Sequence, residues 1–180
     1  MTVPDGLSLT LNFISPEKEQ EIISWLDTQN WSNDISRRTQ HYGYNYGYKS
    51  KNLVPGQPLI GPILDISNMI EKYELIKPVQ CIVNEYYRDQ GITPHIDAKM
   101  FGPTIIGVSI GADVTMIFER GTEKFECFLP RRSIMMMTGQ ARYEWKHSIE
   151  KRVTYIDNIG QKVTKPKDYR RISLTYRELS

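Results

Sequence analysis

The chain has 180 residues, 39% hydrophobic and 24% charged, with a net charge of +2. That balance suits one folded core and excludes a disordered chain. No run of about 18 apolar residues is present, so no spanning helix is expected, and Met1 to Thr10 lacks the basic and apolar regions of a secretory signal.

Residues 1–36 carry six acids and one base. Ser15 and Pro16 read as an N-cap and a first helical residue. The apolar stripe Ile22, Ile23, Trp25 and Leu26 then predicts a helix over 16–29. Residues 37–52 reverse the charge, with Arg37, Arg38, Lys49 and Lys51 and no acid. Within them Tyr42, Tyr44, Tyr46 and Tyr48 alternate, the period of a strand with one aromatic face, and Gly43 and Gly47 fall on the other. A Pro/Gly stretch over 54–62 precedes a second helix over 63–73.

From Val79 onward the chain reads as β-structure. Runs rich in Val, Ile, Thr, Phe and Tyr occupy 79–87, 104–111, 114–119, 124–129, 133–137, 146–156 and 170–177. Cys81 and Cys127 lie in such runs and read as reduced core thiols, which implies an intracellular protein, cytoplasmic or nuclear. Residues 146–171 form a second basic block, with eight bases against three acids. Such blocks are either solvated surface or a track for the phosphates of a polyanion. Two helices leading into many short strands predict a single α+β domain over 1–180, a sandwich or jelly roll.

His95 and Asp97 stand two residues apart, so in extended backbone both point the same way and can share a metal ion. The pair alone is a weak signal, since a surface ion pair has the same spacing. His147 supplies a second imidazole. Two histidines and one carboxylate make a facial triad, which leaves three positions on Fe(II) for a bidentate oxo-acid and dioxygen.

The segment Arg171–Arg177 alternates strictly. Arg171, Ser173, Thr175 and Arg177 share one face; Ile172, Leu174 and Tyr176 share the other. With the apolar face on the core, the arginine face lines either solvent or a polar cavity. In a cavity two arginines need anionic partners, and a dicarboxylate supplies them. Asn84 and Tyr86, again two apart, offer an amide and a phenol to carboxylate oxygens. For Tyr86 the alternative is plain core packing.

Taken in order, Asn84-x-Tyr86, His95-x-Asp97, His147 and the Arg171-x5-Arg177 strand resemble the AlkB family of Fe(II)- and 2-oxoglutarate-dependent dioxygenases, across roughly residues 80–177. The resemblance implies a double-stranded β-helix with the N-terminal helices packed on one sheet. It implies Fe(II) on His95, Asp97 and His147, with 2-oxoglutarate and dioxygen as co-substrates. Arg171 and Tyr86 would hold the distal carboxylate; Asn84, Ser173 and Arg177 would sit toward the keto-acid end.

A finer similarity is to the branch that hydroxylates a wobble uridine in tRNA. It runs through Arg38 to Tyr44, Asn84 to Tyr87, Gly91 to Asp97, Leu129 to Ser133 and Met137 to His147. Larger members of that branch carry an RNA-recognition module and a methyltransferase domain, and this sequence has neither. In the family, 37–52 forms a nucleotide-recognition lid. Here Arg37, Arg38, His41, Tyr42, Tyr44 and Tyr46 would contact phosphate or stack on an extruded base; an edge strand is the alternative. The expected substrate is a modified base in RNA, tRNA above all, or in single-stranded DNA, handled by a monomer. The neighbouring expectations are repair demethylation of N-methylated bases and hydroxylation of a protein or small molecule.

Overall fold

The computed structural model describes residues 2–47, 52–74 and 76–180. In chain order its elements are β1 (Leu7–Thr10), α1 (Pro16–Leu26), β2 (Thr39–Gly47), β3 (Asn52–Pro55), α2 (Gly61–Glu74), β4 (Gln80–Tyr87), β5 (Ile92–His95) and β6 (Phe101–Ile110). Then follow β7 (Val114–Arg120), β8 (Glu123–Leu129), β9 (Ile134–Met137), α3 (Gly139–Tyr143), β10 (Lys146–Ile149), β11 (Thr154–Ile156), β12 (Lys162–Thr164) and β13 (Arg170–Leu179).

The strands make a seven-stranded sheet, β1-β9-β6-β13-β4-β2-β3, and a four-stranded sheet, β5-β10-β7-β8, with β11 and β12 as a separate ribbon. Alternation puts opposite faces of β13 in different surroundings. Ile172, Leu174 and Tyr176 are fully buried in a cluster with Ile22 and Leu26 of α1 and Ile63, Ile66 and Ile70 of α2. Both helices therefore cover one face of the larger sheet. A second cluster joins Tyr86, Ile105, Met135 and Met137 of that sheet to Met116, Phe118, Leu129 and Ile149 of the smaller one. The two sheets face each other as a jelly roll with the helices outside.

Local chemistry explains the element ends. Ser15 accepts a hydrogen bond from the Lys18 amide at 3.1 Å, and Pro16 occupies the first turn, as the sequence predicts. The helix ends at Leu26, three residues short of the expected 29, because the Leu26 carbonyl accepts from the Gln29 amide and from Gln40 Nε2 on β2. The expected strand over 146–156 divides into β10 and β11 at a turn in which the Arg152 amide bonds the Glu150 carbonyl at 2.9 Å.

Candidate active site

The site lies between the sheets. β10 pairs with β5 so that His147 stands opposite His95. Gly91 permits this approach: a Cβ there would lie 2.1 Å from the Ile149 carbonyl oxygen. Asp97 follows β5 on the turn that leads to β6. Its Oδ1 is 3.5 Å from His95 Nε2 and 3.3 Å from His147 Nε2, and one ligand atom from each of the three lies within 4.8 Å of the others.

Two neighbours fix this cluster. His95 Nδ1 bonds the Thr93 carbonyl at 2.8 Å, so Nδ1 carries the proton and Nε2 keeps its lone pair for a metal. Arg177 grips Asp97 Oδ2 through Nε at 2.8 Å and Nη2 at 2.6 Å. That leaves Oδ1 buried and without a hydrogen-bond donor. Burial would raise the Asp97 carboxyl, but Arg177 and both imidazoles outweigh it and hold it well below the usual range. His95 shifts upward because Asp97 and the Thr93 carbonyl favour its charged form. An ionised carboxylate oxygen without a donor, beside two imidazole nitrogens, is the donor set that Fe(II) takes.

A cavity of about 70 Å³ runs from this cluster between the sheets, and Asn84, Tyr86, Arg171, Ser173 and Arg177 all line it. Arg171 is 1% exposed, and burial lowers its affinity for a proton. Nη2 donates to Ser109 Oγ at 2.8 Å, while Nε and Nη1 have no partner among the described residues. A buried guanidinium in that state is costly unless an anion meets it, and 2-oxoglutarate ends in a carboxylate. The residues present thus fit both the ion and the co-substrate.

A wider cleft of about 880 Å³ opens on His95 and Asp97, lined by Asp34, Arg37, Thr39, His41, Asn45 and Gln80 among others. The expected substrate residues divide here. Arg37 and the exposed His41 line the cleft. Tyr42 does not: it is fully buried on the helix side, 5.8 Å from the Trp25 ring and bonded to Gln40. Alternation accounts for the split: Thr39, His41 and Asn45 share the cleft face of β2, which puts Tyr42 on the opposite face. Tyr44 is 40% exposed, whereas the Tyr46 side chain and Tyr48, with the rest of 48–51, lie outside the described residues.

The basic blocks are also partly spent inside the protein. Arg38 holds the fully buried Glu85 through two bonds of 2.7 Å, and Arg170 holds both Glu85 and Asp27. Lys165 is 2% exposed. A phosphate track through 37–52 and 146–171, one of the two readings of these blocks, is therefore interrupted at Arg38, Lys165 and Arg170, while Lys49 and Lys51 lie outside the described residues. Lys146, Lys151, Arg152, Lys162 and Lys167 remain exposed.

One site residue escaped the sequence reading. Arg142 on α3 is 2% exposed and donates to the carbonyls of Asp97 (2.9 Å), Ala98 (2.8 Å), Phe101 (3.3 Å) and Gly102 (3.3 Å). It clamps the turn that carries Asp97. The available signal was a lone charge closing the uncharged run from Ser133 to Ala141.

Comparison with known proteins agrees with this geometry. The model of the 2OG-Fe(II) oxygenase superfamily matches residues 28–177. Protein L905 of Acanthamoeba polyphaga mimivirus is 34% identical over 97% of this chain and 85% of its own length. The tRNA (carboxymethyluridine(34)-5-O)-methyltransferase ALKBH8 of Macaca fascicularis is 37% identical over 82% of this chain, which matches only 24% of that relative's length. The solved structure of OsALKBH1 superposes with a TM-score of 0.76 at 14% identity, covering 99% of this chain and 98% of that one. Among the described residues no helix is long and apolar enough to cross a membrane.

Proposed function

The chain belongs to the 2OG-Fe(II) oxygenase superfamily, and on that premise we propose that it oxidises a modified base in RNA, with the C5 substituent of a tRNA wobble uridine as the preferred target. As a member it is a dioxygenase that uses Fe(II), 2-oxoglutarate and dioxygen. His95, Asp97 and His147 hold the ion. Arg171 and Tyr86 take the distal carboxylate, and Asn84, Ser173 and Arg177 face the keto-acid end. Bound together, the iron and its co-substrates supply oxidation of a carbon–hydrogen bond, with release of succinate and carbon dioxide.

The observation that carries the co-substrate reading is Arg171, buried with two of its nitrogens without a partner among the described residues, in the cavity that the metal cluster shares. The protein's own contribution is positioning. Arg177 aims Asp97, Thr93 sets the His95 tautomer, and the apolar cavity wall excludes water. The RNA reading rests on two supports. One is the similarity to a relative named for carboxymethyluridine 34 of tRNA. The other is a cleft of about 880 Å³, large enough for an extruded nucleoside, that opens onto His95 and Asp97. The methyltransferase activity in that relative's name is not carried over, because this chain spans about a quarter of it.

Incubating the protein with Fe(II), 2-oxoglutarate and bulk tRNA, then digesting to nucleosides for mass spectrometry, tests the proposal. The expected product is a uridine derivative 16 Da heavier, formed with succinate. Formaldehyde release from N-methylated oligonucleotides instead would make the protein a demethylase. Succinate without any nucleoside change would remove the nucleic acid reading.

A further inference from the structure

We propose that Arg37 is a positioning residue for the co-substrate: it fixes which end of the Asn84 side-chain amide faces the cavity. The inference rests on the 2-oxoglutarate reading above and reassigns a residue whose sequence context pointed to phosphate.

Arg37 Nε donates to Asn84 Oδ1 at 2.9 Å. A guanidinium has donors only, so the atom it meets on an amide must be the carbonyl oxygen. The NH2 end is thereby turned away from Arg37. Asn84 lines both the narrow cavity and the wider cleft, whereas Arg37 lines only the cleft. Arg37 therefore holds the amide from the cleft side and leaves its donor end for the cavity. A carboxylate only accepts hydrogen bonds, so it binds the NH2 end and is repelled by the oxygen.

The surroundings of Arg37 favour this role over a phosphate contact. Asn33, Asp34, Ile35 and Ser36 before it are exposed, yet Arg37 itself turns inward and is half-buried. Its guanidinium carbon sits 6.0 Å from the Tyr86 ring centre, and that of Arg171 sits 5.6 Å from the same ring. Among the described residues Arg37 thus meets two of the groups assigned to the co-substrate and pairs with no acid.

Titration of 2-oxoglutarate into the Mn(II)-loaded protein tests this without turnover, by calorimetry. Arg37→Met is expected to weaken binding about tenfold, the scale of one hydrogen bond to a charged group. Arg37→Lys, which still donates, should recover part of that loss. In an Asn84→Ala background Arg37→Met should change the affinity less than about twofold, because the residue it positions is gone. Mn(II) affinity and melting temperature should hold in both single variants. Unchanged 2-oxoglutarate affinity in Arg37→Met, or the full loss persisting in the Asn84→Ala background, would overturn the inference. If Arg37→Met does not fold, Arg37→Leu carries the same double-variant comparison. Failure of the unaltered, Mn(II)-loaded protein to bind 2-oxoglutarate would instead remove the co-substrate reading itself.

Discussion

Arg171 and Arg177 share one face of β13 and line one cavity, but the protein treats them differently. Arg177 is satisfied internally: Asp97 takes two of its nitrogens, Gln80 takes the third at 3.2 Å, and the Phe101 ring lies 5.2 Å away. Among the described residues Arg171 has one hydroxyl and an aromatic face, and no acid. Lys165 adds a second buried cation nearby, with the Arg88 carbonyl at 3.3 Å and the Tyr169 ring as its partners among the described residues. Burial and then the charge of Arg171 push the Lys165 ammonium down to about 8. A buried charge matched by its own fold orients something else. A buried charge left unmatched is a binding site for the opposite charge.

The largest test of this contrast removes the match. Asp97→Ala deletes a proposed metal ligand and strips Arg177 of its acid. Metal affinity, read by Mn(II) titration, should fall by more than about 100-fold, since even residues behind the ligands are worth about 10–100-fold. Arg142→Met should cost metal affinity within that lower range of about 10–100-fold, because it frees the turn that carries Asp97.

Next comes the pair of arginines itself. Arg171→Met should weaken 2-oxoglutarate at least about tenfold by calorimetry, yet leave the ligand-free protein as stable as before or more so, because an unpaired buried charge is lost. Arg177→Met should do the opposite to stability, lowering the melting point by isolating Asp97 at a cost of about 3 kcal/mol. Equal thermal responses would erase the distinction between the two ends.

The smallest effect is in pH. The folded-state pKa of Lys165 lies below its unfolded value of 10.5. Between pH of about 8 and about 10.5 the unfolded chain therefore binds more protons, and this lysine's contribution to stability rises with pH across that window. Denaturant melts at several pH values should show the gain in the unaltered protein and a flatter profile in Lys165→Met.

What the sequence disclosed was local. The alternation in Arg171–Arg177 depends only on strand periodicity, so both arginines and their apolar opposites were assignable from spacing. The same spacing paired His95 with Asp97, whereas His147, far along the chain, was joined to them only by the resemblance that the whole order of motifs carries. What stayed hidden depended on distant contacts. Arg38 and Glu85 are 47 residues apart, so a pair that neutralises a basic block looked like free charge. Tyr42 faces the helices because Thr39, His41 and Asn45 occupy the cleft face of β2, and which face that is becomes fixed only when β2 meets β4. The four-residue strands β1 and β5 are too short to show a period, and only their pairing with β9 and β10 defines them.

β13 follows every other element in chain order, yet it is hydrogen-bonded on both sides, between β6 and β4. Until it inserts, the larger sheet exists only as two separate halves, β1-β9-β6 and β4-β2-β3. During synthesis those halves keep apolar strand edges open, and pairing across so long a sequence separation is slow and prone to aggregation. The strand that seals the sheet also delivers Arg171 and Arg177. Completion of the fold and acquisition of the co-substrate pocket are thus one step, so a nascent chain with an open sheet has no pocket in which to bind 2-oxoglutarate.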